Sequence, residues 1–452
     1  MPALLLFGQT ITAVRLGLLA ANLVAAGLLL LLAKRLSGPA CAVAAAALYL
    51  VAAASLSMLG PFAHATQFLV PPMVAGVLVL EVAGERSSRR LLALSGFLFG
   101  MAVLVKQHAA VFVVLGAVLA WMRSRRAGDA ALILAMGALP FALLAAFFLA
   151  AGCFGDFWLW CFRYAPQYVS LMPVDRGLMI LGLRLLDIGG SVPGLVLLAG
   201  WGLWAAWRSP HRPLLLAWLL ASALAVFPGL YFREHYFVPL IPAVALLGGL
   251  GAADLTRRGK AGTAAAALLV LGSAVFPFWR DRVFLLEGDG RIAMRRLYGP
   301  QPFAEAVEVA RYLRAHARPG DRLAILGSEP QILFLSGIPS ATGYMYTYPM
   351  MEPHRLAVPM QEDLMRRLEA APPRWLVLVS ARSSWWEPYG EVPKPIIPWM
   401  DRFIPAHYTP VGVADIVSPY RTVYLWGAAA QEYQARSPSS VWVYRRRDLQ
   451  EP

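Results

Sequence analysis

The chain has 452 residues, 59% of them apolar and 15% charged, with a mean hydropathy of +0.58. A soluble domain is about 45–50% apolar and about 25% charged, so this composition excludes an ordinary soluble enzyme. The net charge of +14 is concentrated in residues 1–279, which hold 19 basic and 8 acidic residues, in short clusters between apolar runs. Loops between membrane spans have that pattern, and a nucleic-acid-binding face does not.

Ten runs near the roughly 20 residues that a bilayer requires follow in order: Ile11–Leu32, Gly38–Leu59, Ala65–Gly84, Leu91–Val105, Ala109–Met122, Ala130–Gly152, Gly189–Trp207, Pro213–Gly229, Phe237–Ala253 and Gly262–Phe278. The two short runs around Lys106 form either a hairpin or one long tilted helix. Arginines on both flanks (Arg86, Arg89, Arg90; Arg123, Arg125, Arg126) favour the hairpin. Alternation places 13 of the 19 basic residues on one, cytoplasmic, side. The opposite side receives the segment around His64, Lys106, a Cys153–Asp187 loop, Tyr231–Tyr236, everything after Trp279 and the N-terminus.

After Trp279 the pattern changes. Helical periodicity over Phe303–Ala317, Glu329–Leu335 and Gln361–Ala371 alternates with strand patterns at Arg322–Gly327, Arg374–Ser380, Thr422–Trp426 and Val441–Tyr444. Tyr344–Pro353 reads as a loop. The expected architecture is therefore a polytopic α-helical membrane protein of about ten transmembrane segments, residues 1–279, followed by a small extracytoplasmic α/β domain, residues 280–452.

Polar residues at membrane depth are costly and mark candidate sites. Lys106-Gln107-His108 is either a phosphate ligand or a helix end whose lysine snorkels to the surface. Arg233, Glu234, His235 and Tyr236 suit an anionic lipid head group or an aromatic interface belt. His64, Thr66 and Gln67 open a span, as ligands or as helix-end polar residues. Asp156, Trp158, Arg163, Tyr164 and Tyr168 mix charge with aromatics, for sugar stacking or for interfacial anchoring. Cys153 and Cys161 are available for a disulfide in an oxidising compartment. No metal-ligand spacing, phosphate loop or nucleophile elbow is present in the sequence.

Several stretches resemble, in order, the polytopic lipid-sugar-dependent glycosyltransferases of the GT-C superfamily. The branch is that of the dolichyl-phosphate-mannose–protein mannosyltransferases and the bacterial aminoarabinose transferase. The stretches are Phe7-Gly8 with Ala13-Val14-Arg15-Leu16, Ser95-Gly96-Phe97-Leu98-Phe99-Gly100 through Lys106-Gln107, Arg233-Glu234-His235-Tyr236 through Pro242-Ala243, and Ala310-Arg311-Tyr312-Leu313 through Pro319-Gly320-Asp321-Arg322. The resemblance implies transfer of a sugar from a polyprenyl-phosphate donor to an extracytoplasmic lipid, glycan or protein, at the bacterial inner membrane. Lys106, Gln107, Arg233, His235 and Tyr236 would hold the lipid phosphate, and His64, Gln67 and Arg163 would contact sugar or acceptor. No nucleic-acid partner and no metal-ligand residues are expected, and a divalent-metal requirement stays open.

The family places its catalytic acid in the external loop after its first span, whereas here no Asp or Glu precedes Glu81, and Gln67 stands where the family has an acidic residue. Two expectations compete: the written chain begins downstream of the true start, or it is a shortened, inactive relative that binds polyprenyl phosphate or acts as a scaffold. Asp156 and Glu234 are the available stand-ins for the acid. A transporter is the remaining class, and it would place more ionisable groups inside the spans.

Overall fold

A computed structural model describes residues 2–169, 171–385 and 392–449. Two compact units divide the chain, residues 1–282 and 283–452.

All ten apolar runs of the first unit are helical, but their lengths differ. Among the described residues, six helices are long and apolar enough to cross a membrane: Ile11–Ser37, Ala65–Arg86, Gln107–Ser124, Ala127–Ala150, Glu234–Thr256 and Lys260–Leu285. Val174–Ser191 and Pro193–Trp207, bent by 101° against each other, make a seventh if counted together. Of the ten expected spans, six to seven qualify by length and composition; Pro39–Ala54 and Arg212–Leu224 are shorter apolar helices, and Arg89–Val105 has 17 residues. The protein is a multi-pass membrane protein.

Local chemistry sets the boundaries. The Thr10 side chain accepts the Ala13 N–H at 3.0 Å and opens Ile11–Ser37, which ends where Gly38 takes φ 85° ahead of Pro39. Ser88 caps Arg89–Val105 by accepting the Leu91 N–H. That helix stops at Lys106, whose backbone is extended (φ −158°, ψ 124°). A single 3₁₀ turn, Gln107–Ala109, then leads into Ala110–Ser124. The hairpin reading around Lys106 holds.

Ile241–Thr256 is buried almost all round and is the central helix. It contacts its neighbours backbone to backbone. A Cβ on Gly202 would run into the Leu247 carbonyl oxygen, and one on Gly251 into that of Leu198. In lipid, where helices gain little from the hydrophobic effect, such close packing holds them together.

The Cys153–Asp187 segment is not a loop. It forms Phe154–Trp158, a π-helical turn over Leu159–Tyr164, Ala165–Val169 and the amphipathic Val174–Ser191. Cys153 and Cys161 are free thiols, so no disulfide joins them.

The second unit is built on a five-stranded sheet: β1 (Leu323–Leu326), β2 (Trp375–Val379), β3 (Tyr408–Ser418), β4 (Arg421–Trp426) and β5 (Ser440–Arg446), in the order β1-β2-β5-β3-β4. Only β1 and β2 are parallel; β5 runs antiparallel to both β2 and β3. Phe303–His316 packs Val309 and Leu313 onto Leu323, Trp375, Val377 and Val443. The elements not expected include β3 and the helices Gly290–Tyr298 and Ile396–His407. Tyr344–Pro353 is mostly loop, as expected, with one short helix at Tyr348–Met351.

Candidate lipid-phosphate site

Three chain breaks meet at one end of the first unit: the turn before Val70–Arg86, the Lys106 kink, and the 3₁₀ segment Glu234–Leu240. The Lys106 Nζ lies 4.2 Å from the centre of the Tyr236 ring, a cation–π contact. His64 and His235 stack with ring centres 4.2 Å apart and planes 2° from parallel. Lys106, Arg233, His64 and His108 all lie within coulombic reach of His235. The Arg233 guanidinium sits 5.5 Å from the centre of the Tyr231 ring, which stacks on Tyr168 at 4.7 Å and donates its hydroxyl to the Tyr168 carbonyl at 3.1 Å.

The polar groups here have few protein partners. His64 Nε2, Thr66 Oγ1, both Gln67 amide atoms, His108 Nε2 and His235 Nδ1 are buried without a hydrogen bond. Such atoms are rare in folded proteins, and each costs about 1–3 kcal/mol. Six of them lie at one end, beside a lysine and an arginine, a grouping whose chemistry suits a polar anionic ligand.

The remaining expected residues lie elsewhere or are engaged. Gln107 is exposed and donates to the Cys161 carbonyl at 3.2 Å, tethering the 154–169 segment. Arg163 is exposed, and its carbonyl accepts from Gln167. Asp156 is exposed on Phe154–Trp158. Glu234 is ion-paired with Arg184 at 2.5 Å. Thr66 and His108, candidates in the sequence beside Gln67 and Lys106, belong to the cluster as well. Among the described residues, no group of three or more His, Cys, Asp or Glu is placed to hold a metal ion.

Comparison with known proteins follows the same lines. Residues 3–151 match the family model described as dolichyl-phosphate-mannose-protein mannosyltransferase. Two crystal structures of ArnT from Cupriavidus metallidurans, one bound to undecaprenyl phosphate and one in the apo state, align over 100% of this chain and 87% of theirs. Both have a TM-score of 0.58, with 16% and 15% sequence identity respectively. The chain shares the fold of these ArnT structures. An Archaeoglobus fulgidus oligosaccharyltransferase, in complex with Zn and sulfate, aligns over 92% of this chain and 61% of its own, at 15% identity and a TM-score of 0.49. No curated protein is similar to the chain in sequence. The matched family segment spans His64, Gln67 and Lys106 and stops before Arg233 and His235.

Proposed function

We propose that this chain is a GT-C protein that transfers a sugar from a polyprenyl-phosphate donor to an acceptor outside the cytoplasm, with the Lys106 end on the extracytoplasmic side. The observation that carries the reading is the buried, unpartnered polar cluster around Lys106. The undecaprenyl phosphate bound in the ArnT structure supports the choice of ligand. The positive-inside distribution of the other end's arginines supports the orientation.

In this reading the acceptor oxygen attacks the anomeric carbon while the bond from that carbon to the phosphate oxygen breaks, with inversion. Lys106, Arg233 and His235 stabilise the charge that develops on the leaving polyprenyl phosphate. Gln67 and His64 hold sugar or acceptor hydroxyls. The acceptor proton passes to a carboxylate, for which Asp156 and Glu234 are the available side chains.

The test is binding of undecaprenyl phosphate to the purified, detergent-solubilised chain. Lys106→Ala should weaken binding about 10–100-fold, the effect of removing one charge-assisted contact, and should abolish sugar transfer. Unchanged binding sinks the assignment. The Glu234–Arg184 ion pair favours a second reading, a protein that binds the lipid phosphate without transferring sugar. Tight binding with no turnover on any lipid-linked sugar would select it.

A further inference from the structure

The helices that carry the candidate site have a second feature at their other ends. The C-terminal ends of Ile11–Ser37 and Val70–Arg86 and the start of Arg89–Val105 enclose a groove of about 650 Å³. Lys34, Arg35 and Arg86 stand at its mouth. Helical spacing sets apolar side chains directly behind them: Leu31 lies three and four residues before Lys34 and Arg35, and Val79 and Val82 lie seven and four residues before Arg86.

Charge balance distinguishes this groove from its neighbour. A second cavity of about 300 Å³ at the same end is lined by Arg89, Arg123 and Arg126. There Arg89 is paired with Asp129 at 3.2 Å and Arg123 with Glu81, which leaves one cation, Arg126, against two in the larger groove. In the larger groove only Arg35 is neutralised, by Glu85 at 3.0 Å. Among the described residues, no carboxylate lies within ion-pair distance of Lys34 or Arg86. Three cations and one carboxylate leave the mouth at +2, above an apolar wall.

We propose that this groove binds an anionic glycerophospholipid. The phosphodiester sits between Lys34 and Arg86, and an acyl chain runs along Leu31, Val79 and Val82. Cationic mouths over apolar clefts between membrane helices suit this chemistry, and each basic residue near the head group adds appreciably to affinity. The site is separate from the Lys106 cluster and does not depend on the function proposed for it.

The test uses the purified full chain in neutral detergent, with phosphatidylglycerol or phosphatidylcholine added and lipid retention read by native mass spectrometry. Wild type should retain phosphatidylglycerol at least about tenfold better than phosphatidylcholine. The double variant Lys34→Gln/Arg86→Gln should lower phosphatidylglycerol retention about 10–30-fold. A charge-matched control, Arg90→Gln/Lys260→Gln, should leave it unchanged, and the charge-keeping exchange Lys34→Arg/Arg86→Lys should restore most of it. Equal retention of the two lipids, or an equal fall in both neutralised variants, overturns the proposal. So does displacement of the lipid by millimolar inorganic phosphate, which would make free phosphate the ligand.

Discussion

Two buried polar clusters, one in each unit, differ in how completely they are paired. In the sheet unit, Asp415 is fully buried in β3, yet it accepts from the Tyr433 hydroxyl at 2.9 Å, the Arg436 N–H at 2.7 Å and the Ser437 hydroxyl at 2.8 Å. Buried Glu305 accepts through one carboxylate oxygen, Oε1, from Arg295 and from the Thr422 hydroxyl, each at 2.6 Å, while its Oε2 has no partner. In the membrane unit, His64, Gln67, His108 and His235 bury polar atoms with no protein partner. A satisfied polar cluster stabilises its own fold. An unsatisfied one carries a cost that the fold alone does not offset, and that a ligand can.

If this contrast is right, the largest effect on stability belongs to Asp415→Ala. It would strand two hydroxyls and a backbone N–H and destabilise the sheet unit by about 4 kcal/mol, read by chemical denaturation of the detergent-solubilised chain. A loss under about 1 kcal/mol would break the contrast.

Glu329 is the intermediate case. It accepts from Ser384 Oγ at 2.6 Å and from the Ser328 N–H at 2.8 Å, but burial dominates and raises its pKa from 4.5 to about 7. The folded state therefore holds this proton more tightly than the unfolded chain does. The stability it confers is complete below about pH 4.5, declines as pH rises, and is gone above about pH 7. The decline amounts to about 3 kcal/mol. Glu329→Gln should remove that slope from the pH profile of unfolding, and an unchanged slope would contradict it.

The smallest stability effect sharpens the comparison most. Gln67→Leu replaces two unpartnered polar atoms with an apolar group of similar size, so the melting temperature should stay level or rise slightly, by less than about 1 kcal/mol in stability. Sugar transfer should nonetheless fall. Marked destabilisation would mean that Gln67 serves the fold after all.

Much of this was legible from periodicity. The helices of the membrane unit and four of the five strands follow apolar patterns that need no tertiary information, and the Lys106 break followed from charge flanking two short runs. The sequence hid β3 because Pro410 and Gly412 sit at its bulge and a buried aspartate interrupts its apolar alternation. Ile396–His407 carries prolines at 398 and 405, which read as breakers. Val174–Ser191 escaped because Asp175, Arg176, Arg184 and Asp187 dilute its hydropathy. At the site, Lys106 and His235 could be named individually, but the stacking of His64 on His235 joins residues 171 positions apart and has no local signature.

The 101° bend between Val174–Ser191 and Pro193–Trp207 gives the molecule a depth gauge. A helix turned so sharply from a span, with Leu178, Leu183 and Leu186 exposed, is suited to floating at the boundary between acyl chains and head groups. Arg184 on that float grips Glu234, one residue from His235 and two from Tyr236. That ion pair ties the helix to the segment that carries His235 and Tyr236. A thicker or thinner membrane would then carry the float and the cluster up or down together, keeping the cluster level with lipid head groups.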